Sequence, residues 1–297
     1  MGETGDLLDC WTGSGLVGAV CFNLRYYPLN HQMSSMVRAG EIGSPRLVSG
    51  AYLQDWLFHD DDWNWRLSGD EGGELRSVAD IGSHWFDLAE FTTGHRVVEV
   101  CADLHTFIPV RRRPVGERET FASVADGDET IDVEVSSDDA AGVLVRFDDG
   151  ARGAVTISQV SAGRKNSVSL EIDGSAAALA WSSERADELW IGHRDEPNQV
   201  LARDPSLVRD DVHRHIGLPG GHAEGYADTF RALFADVYAD IASGGPSESP
   251  TYPTIADGHR SMMIGRAIAT SHRTRAWAAV AERPVDDIDQ SNRMETR

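Results

Sequence analysis

Three rhythms of apolar and polar residues run along this chain, and each predicts a different kind of element. From Val97 to Ile191 the period is two. Gly142 to Asp148 and Ala151 to Gln159 flank Asp149-Gly150, a pair suited to a tight hairpin because glycine accepts positive φ. Ser167 to Ile172 and Ala176 to Trp181 flank Asp173-Gly174 in the same way, and Leu189-Trp190-Ile191 adds a strand. Helical spacing governs three other stretches. Ile81, Trp85, Leu88 and Ala89 predict a helix from about Asp80 to Thr93, with Gly94 beyond its end. Tyr226, Phe230, Leu233, Phe234, Val237 and Ile241 predict a long helix closed by Ser243-Gly244-Gly245-Pro246. Met262, Met263 and Ile268 lie on a last one, from about Thr254 to Ser271. The third rhythm is an unbroken apolar run, Leu16 to Phe22, which reads as one buried strand stopped by Pro28. After it, Asn30 is placed to cap a short helix with Met33, Met36 and Val37 inward, and Gly40 to end it. Arg46 to Gln54 reads as a strand, followed by an irregular stretch rich in Asp and Trp up to Gly73.

Successive hairpins argue for an antiparallel meander over βαβ units, so the expected fold class is α+β: a large open, mainly antiparallel sheet with helices on one face. The 297 residues, 41% hydrophobic and 25% charged, are enough for a sizeable core. No apolar run approaches the roughly 20 residues of a membrane helix, and Met1 to Asp6 lacks the basic and apolar parts of a signal peptide. With 27 basic and 48 acidic residues the formal charge is −21, the wrong sign for a nucleic acid or an anionic membrane. Arg111-Arg112-Arg113, the one dense basic spot, sits between Pro109 and Pro114 and reads as a solvated loop. Cys10, Cys21 and Cys101 are odd in number and form neither a disulfide framework nor a CxxC site, as in a reducing cytoplasm.

The chemistry concentrates in Gly72 to Asp87. Asp80 and His84 are four apart, on one face of a helix start, while Ile81 and Trp85 point to the core. A carboxylate beside an imidazole can orient it and hold its charge near neutral pH, as a general base requires. The plainer alternative is a capping Asp with a surface His. A second alternative is a hard-cation site built from His59, Asp60, Asp61, Asp62 and His84, although an Asp run in a loop is usually solvated surface. His213 and His215 make no ligand pair unaided, and no metal is expected.

The string DIGSHWFDLAEFTTG, Asp80 to Gly94, resembles the signature of the glucose–fructose oxidoreductase / inositol dehydrogenase / rhizopine-catabolism (Gfo/Idh/MocA) family. FNLRYYP, AGEIGSPRLVSG, GGELRSVADIGSH, RFDDGARGAV and LEIDGSAAALAW follow the family's order, so the resemblance spans about Gly15 to Val280. It implies an NAD- or NADP-dependent oxidoreductase acting on a sugar, inositol or related polyol, and a homo-oligomer formed through the open sheet. By resemblance Asp80 and His84 are the catalytic pair, His84 taking the hydroxyl proton and Asp80 holding the imidazole in place and helping to position the substrate. It further implies Arg25 facing substrate and nicotinamide, Asp62 and Trp63 bordering the sugar, and His222 and Tyr226 lining the pocket. Residues 1–30 then hold a remnant of the last Rossmann strand and the junction, 31–282 the substrate and oligomerisation domain, and 283–297 a flexible polar tail.

Two parts of the family's pattern are not met. Gly13-Ser14-Gly15-Leu16-Val17-Gly18 spells GxGxxG, but no strand is expected before it and the glycines lead into a strand rather than a helix. The single lysine, Lys165, falls in a sheet loop rather than in the family's Glu-Lys-Pro motif. The expectation is a chain lacking most of the Rossmann domain and weakly active or inactive alone. The alternative is a non-catalytic sugar-binding or oligomerisation module.

Overall fold

The computed structural model describes residues 2–115 and 129–281; the expected tail at 283–297 lies outside the described residues. Its centre is a nine-stranded sheet in the order β10-β9-β8-β7-β1-β6-β5-β2-β11. Here β1 is Pro45–Leu53, β2 Val97–His105, β5 Ala140–Phe147, β6 Arg152–Ser158, β7 Ser167–Gly174, β8 Ala178–Ser182, β9 Glu188–Gly192, β10 Gln199–Ala202 and β11 Ala278–Ala279. A two-stranded ribbon, β3 (Val110–Pro114) with β4 (Thr130–Glu134), stands apart from it. The β5–β6 hairpin turns at Asp149-Gly150, where Gly150 has φ 96°. The β7–β8 turn falls later than Asp173-Gly174, since Asp173 pairs with Ala178 and the chain reverses at 174–177.

The sheet is not a pure meander. β1 lies between β6 and β7, parallel to β6 and antiparallel to β7. That long-range insertion joins two hairpin groups into one surface. Period-two burial then divides the faces. Val143, Val145, Phe147, Val155, Ile157, Leu170, Ile172, Leu179 and Leu189 are buried, whereas Leu144, on the other face, is 50% exposed.

Helices cover the buried face. α2 (Pro28–Arg38) and α4 (Ser83–Thr93) pack on each other, and α6 (Ile255–Thr274) lies along β2. Met33, Trp85, Phe86, Leu88 and Ile268 interlock with the inward strand residues in one core. α4 ends at Gly94, which takes a left-handed conformation with φ 73°. α5 (Tyr226–Ser243) runs beside Asn23–Tyr26, and a helix α1 (Gly2–Trp11) that the pattern did not predict lies against α6. The remaining α-helix, α3 (Gly69–Gly72), is a single turn before the π-helix described below. Among the described residues no helix is long and apolar enough to cross a membrane.

The expected strand at Leu16 to Phe22 is not formed. Only Ala19 makes a bridge, with Thr254, and Leu16 is exposed. An apolar run satisfies a strand only if a neighbouring strand offers partners for its backbone, and here the neighbour is the irregular start of α6. Pro28 does not stop an element either: it occupies the first turn of α2, where its missing N–H costs nothing, and Asn30 sits inside that helix donating to the Leu24 carbonyl at 2.8 Å.

Candidate functional site

The chain enters the Asp80 segment through an unusual turn. Val78–Gly82 is a π-helix that runs into α4, and single π-turns recur at functional positions. The carboxylate of Asp138, distant in sequence, accepts from the Arg76 N–H at 2.7 Å and the Val78 N–H at 3.0 Å, and from the Ser77 hydroxyl. A cap from outside the segment thus fixes where the helix begins and which way Asp80 points.

Asp80 and His84 both border a cleft of about 970 Å³. Its walls come from the end of β1 (Tyr52, with Gln54 and Asp55 beyond it), the loop with Trp56, Phe58, His59, Asp62 and Trp63, the β6–β7 loop with Lys165 and Asn166, and Asn23, Arg66 and Tyr226. The two residues are not joined. Arg66 Nε donates to Oδ1 of Asp80 at 2.9 Å and Gln159 Nε2 to Oδ2 at 2.8 Å, while Nδ1 of His84 is buried with no hydrogen-bond partner. The expectation that Asp80 orients the imidazole is therefore corrected: no hydrogen bond joins them, the carboxylate is turned toward Arg66 and Gln159, and His84 is held by packing, its ring edge-on to Phe22 at 5.2 Å. Burial alone pushes His84 down to about 4, so it is a neutral imidazole at physiological pH. Burial pushes Asp80 upward, and the Arg66 guanidinium opposes that rise.

The neighbouring loop is held by a residue expected to be solvated. Arg111 is fully buried, donates to the carbonyls of Leu57 (2.9 Å), His59 (2.8 Å) and Asp62 (3.3 Å), and pairs with Asp139 at 2.9 Å. Proline on either side marks the end of a ribbon strand rather than a loop, so Arg111 points inward while Arg112 pairs with Asp60 at 2.7 Å and Arg113 lies over the Trp63 ring. Asp61 also faces Arg112, and Asp62 accepts from the His59 N–H at 2.7 Å. The acidic run is thus spent on local partners and does not converge with His84.

Asp62, Trp63 and Tyr226 line the cleft; Arg25 and His222 do not. Arg25 is buried in the core, where Nε donates to Asp87 at 2.8 Å, a second nitrogen pairs with Asp87 and, at 3.1 Å, with Asp257, and the guanidinium lies over Phe91 at 5.1 Å. Arg25 lies in a 3-10 turn, Asn23–Tyr26, that follows the expected strand segment and whose four residues are all buried. His222 is exposed beyond the cleft and is engaged through its backbone, the N–H donating to the Pro219 carbonyl at 3.2 Å and the carbonyl accepting from Arg203. His215, dismissed as a ligand, is buried and stacks on His31 at 3.6 Å between ring centroids.

The sequence reading missed Tyr52, Gln54, Asp55, Trp56, Arg66 and Asn166. The Tyr52 hydroxyl and the Gln54 amide both donate to Asn166 Oδ1, at 2.8 and 2.9 Å, and Trp56 Nε1 donates to Gln54 at 2.6 Å. Tyr52 and Gln54 were detectable as same-face residues at the open end of a predicted strand. Lys165, set aside as a sheet-loop residue, reaches the rim and pairs with Asp55 at 2.7 Å, its side chain 84% exposed.

Residues 30–180 match the GFO/IDH/MocA C-terminal domain. The chain belongs to that oxidoreductase family. The levoglucosan dehydrogenase of Pseudarthrobacter phenanthrenivorans is 28% identical over 291 residues, 94% of this chain and 71% of its own length. The solved levoglucosan dehydrogenase complexed with NADH and levoglucosan superposes with a TM-score of 0.80 at 25% identity, covering 95% of this chain and 71% of that one. An oxidoreductase domain protein from Kribbella flavida gives 0.74 at 31% identity, over 88% of this chain and 66% of that one. This chain therefore spans about two thirds to seven tenths of these relatives.

The family implies a nicotinamide cofactor, and the glycine segment is where its phosphates would first be sought. Gly13–Gly18 follows the helix α1, not a strand, and a Cβ at Gly18 would lie 2.6 Å from Trp11 Nε1 and 2.8 Å from Ile255. Gly18 is small to admit Trp11. The segment does not fit a dinucleotide phosphate.

Proposed function

We propose that the cleft binds an uncharged sugar, anhydrosugar or polyol, and that His84 accepts the proton of the hydroxyl oxidised in an NAD- or NADP-linked dehydrogenation. The observation carrying this reading is a neutral, half-buried imidazole bordering a cleft whose lining suits a carbohydrate, with no side chain hydrogen-bonded to its shielded Nδ1. Indole and phenol faces at Trp56, Trp63, Tyr52 and Tyr226 suit the C–H faces of a sugar ring, and Asn23, Asp62 and Asp80 offer polar atoms for hydroxyls. The cations are already matched, Arg66 by Asp80 and Lys165 by Asp55, with Asp62 left over. Among the described lining residues the charge balance is thus negative by one, which disfavours phosphorylated or carboxylated sugars. His84 below its ordinary value is a weak base in the ground state, but it needs no deprotonation at neutral pH and gains strength as an alkoxide forms beside it. The chemistry assigned to this chain's residues stops at that proton.

Calorimetric titration of the purified chain with levoglucosan, myo-inositol and glucose 6-phosphate tests the reading. Saturable heat with a neutral ligand and none with the phosphate is expected. A preference for the phosphate, or no heat with any of them, would contradict it.

The open face of the sheet supports a second element of the proposal, self-association of the chain. Leu144 and Val200 are exposed there, and a groove of about 700 Å³ runs past Trp181 and Trp190. Sedimentation equilibrium on the wild type and on Leu144→Asp is the check, with a smaller species expected for the variant.

A further inference from the structure

Resting on the sugar-site reading, we propose that Arg66 is a positioning residue: it clamps Asp80 so that the carboxylate is aimed at a substrate hydroxyl and kept off His84, which acts as an unassisted base. Four observations converge on Arg66. Its Nε meets Oδ1 of Asp80 at 2.9 Å, in the cleft and only part-buried. Its guanidinium carbon lies 4.6 Å from the Trp65 ring centroid and 5.8 Å from that of Trp56, contacts that restrict the planar group. Asn64 accepts from both its backbone N–H (3.1 Å) and its Nη1 (3.2 Å), tying the head to its own turn. Finally, a side chain at Gly72 would collide with the Arg66 carbonyl, so the chain entering the Asp80 segment is packed directly on the Arg66 backbone.

The consequence for the site is geometric. A carboxylate has two oxygens, and here one goes to Arg66 and the other to Gln159, so neither is committed to the imidazole. Each oxygen keeps a lone pair for a ligand hydroxyl. The charged and titratable groups facing Asp80 are Arg66 directly, Arg76 from below the helix start, where it is paired to Asp139, and Tyr52 from β1; Gln159 is neutral. Arg66 is thus the one cation in hydrogen-bond contact with Asp80 among the described residues. Burial opposes the charge of Asp80; Arg66 is the largest counterweight, and without it only the Gln159 hydrogen bond and the more distant Arg76 remain.

The test is titration of the Asp80 carboxyl by carbon-detected NMR and of the His84 ring by nitrogen-edited NMR, on the full chain without ligand. With Arg66→Met the Asp80 midpoint is expected to rise by about 1–3 pH units, the range for loss of an adjacent opposite charge. Arg66→Lys, retaining the cation without the planar fork, is expected to recover part of that rise. In Asp80→Asn, a near-isosteric change that also covers the case of a misfolded Arg66 variant, the His84 midpoint is expected to stay near its wild-type value. An Asp80 midpoint unmoved by Arg66→Met, or a His84 midpoint displaced by more than about one unit in Asp80→Asn, would overturn the proposal. Neither readout requires sugar. A failure of sugar binding with these shifts present would therefore indict the functional reading and leave the clamp standing.

Discussion

Replacing Arg25 by Met separates a core role from a substrate role with one substitution. The Asp87 carboxylate is 4% exposed and takes its charge-assisted bonds from Arg25, whereas Asp257, the other partner, is 33% exposed and can be rehydrated. Met fills much of the arginine stem's volume and can still lie against Phe91, so lost packing is small. What remains is one buried, uncompensated carboxylate, and breaking such a pair from one side typically costs about 3–5 kcal/mol. For a protein this size that corresponds to a fall in Tm on the order of 10 °C. Urea unfolding followed by tryptophan fluorescence measures it. The deficit should narrow as pH is lowered from 8 to 5. In the variant the folded-state pKa of Asp87 lies above its unfolded value, so the native state takes up the proton first and stability falls as pH rises through that window. The double variant Arg25→Met, Asp87→Leu should recover most of the loss, because replacing both partners with apolar groups leaves no orphan charge. A loss below about 1 kcal/mol, the range of exposed pairs, combined with a collapse of sugar affinity, would refute this account and return Arg25 to the substrate.

The other expectations are compact. His84, pushed down to about 4 by burial, and the stacked His215, likewise down to about 4, should make the protein less stable as pH falls from 6.5 to 4, because the unfolded chain takes up those protons first; replacing His215 with Gln should flatten that part of a Tm-against-pH curve. Gly50→Ala places a Cβ against the Ser169 carbonyl and 2.8 Å from the Trp85 indole, and should cost about 1–3 kcal/mol in chemical denaturation, the range for overpacking. NADH should bind this chain without saturation below millimolar concentration by fluorescence, since Gly13–Gly18 packs on Trp11; micromolar binding would mean that another surface holds the cofactor. Trp63→Ala should lower levoglucosan affinity roughly ten-fold, the equivalent of about 1.4 kcal/mol of lost ring stacking.

What the sequence revealed was local. The Asp149-Gly150 hairpin, the close of α4 at Gly94 and the full length of α5 follow from turn chemistry and periodicity acting within about twenty residues. The placement of β1 between β6 and β7 does not, because strand order is decided by which faces meet after the helices pack, and no residue of Pro45–Leu53 announces its neighbours. Arg25 illustrates a similar limit: the family resemblance implied an arginine facing substrate and nicotinamide, whereas the 3-10 turn at Asn23–Tyr26 carries the side chain to Asp87. The four-residue spacing placed Asp80 and His84 on one face of a helix start, and both border the cleft. It could not reveal that Arg66 and Gln159, 14 and 79 residues away, would occupy the carboxylate first.

His84 as a neutral base in contact with a sugar is the centre of the proposed chemistry. Nitrogen-edited NMR of the imidazole, recorded while levoglucosan is added at pH 7, tests that most directly. A neutral His84 ring that titrates only near pH 4 and whose resonances shift saturably with the sugar is the predicted result. A ring that titrates near 6.5, the ordinary value for histidine, or resonances indifferent to saturating sugar, would contradict it.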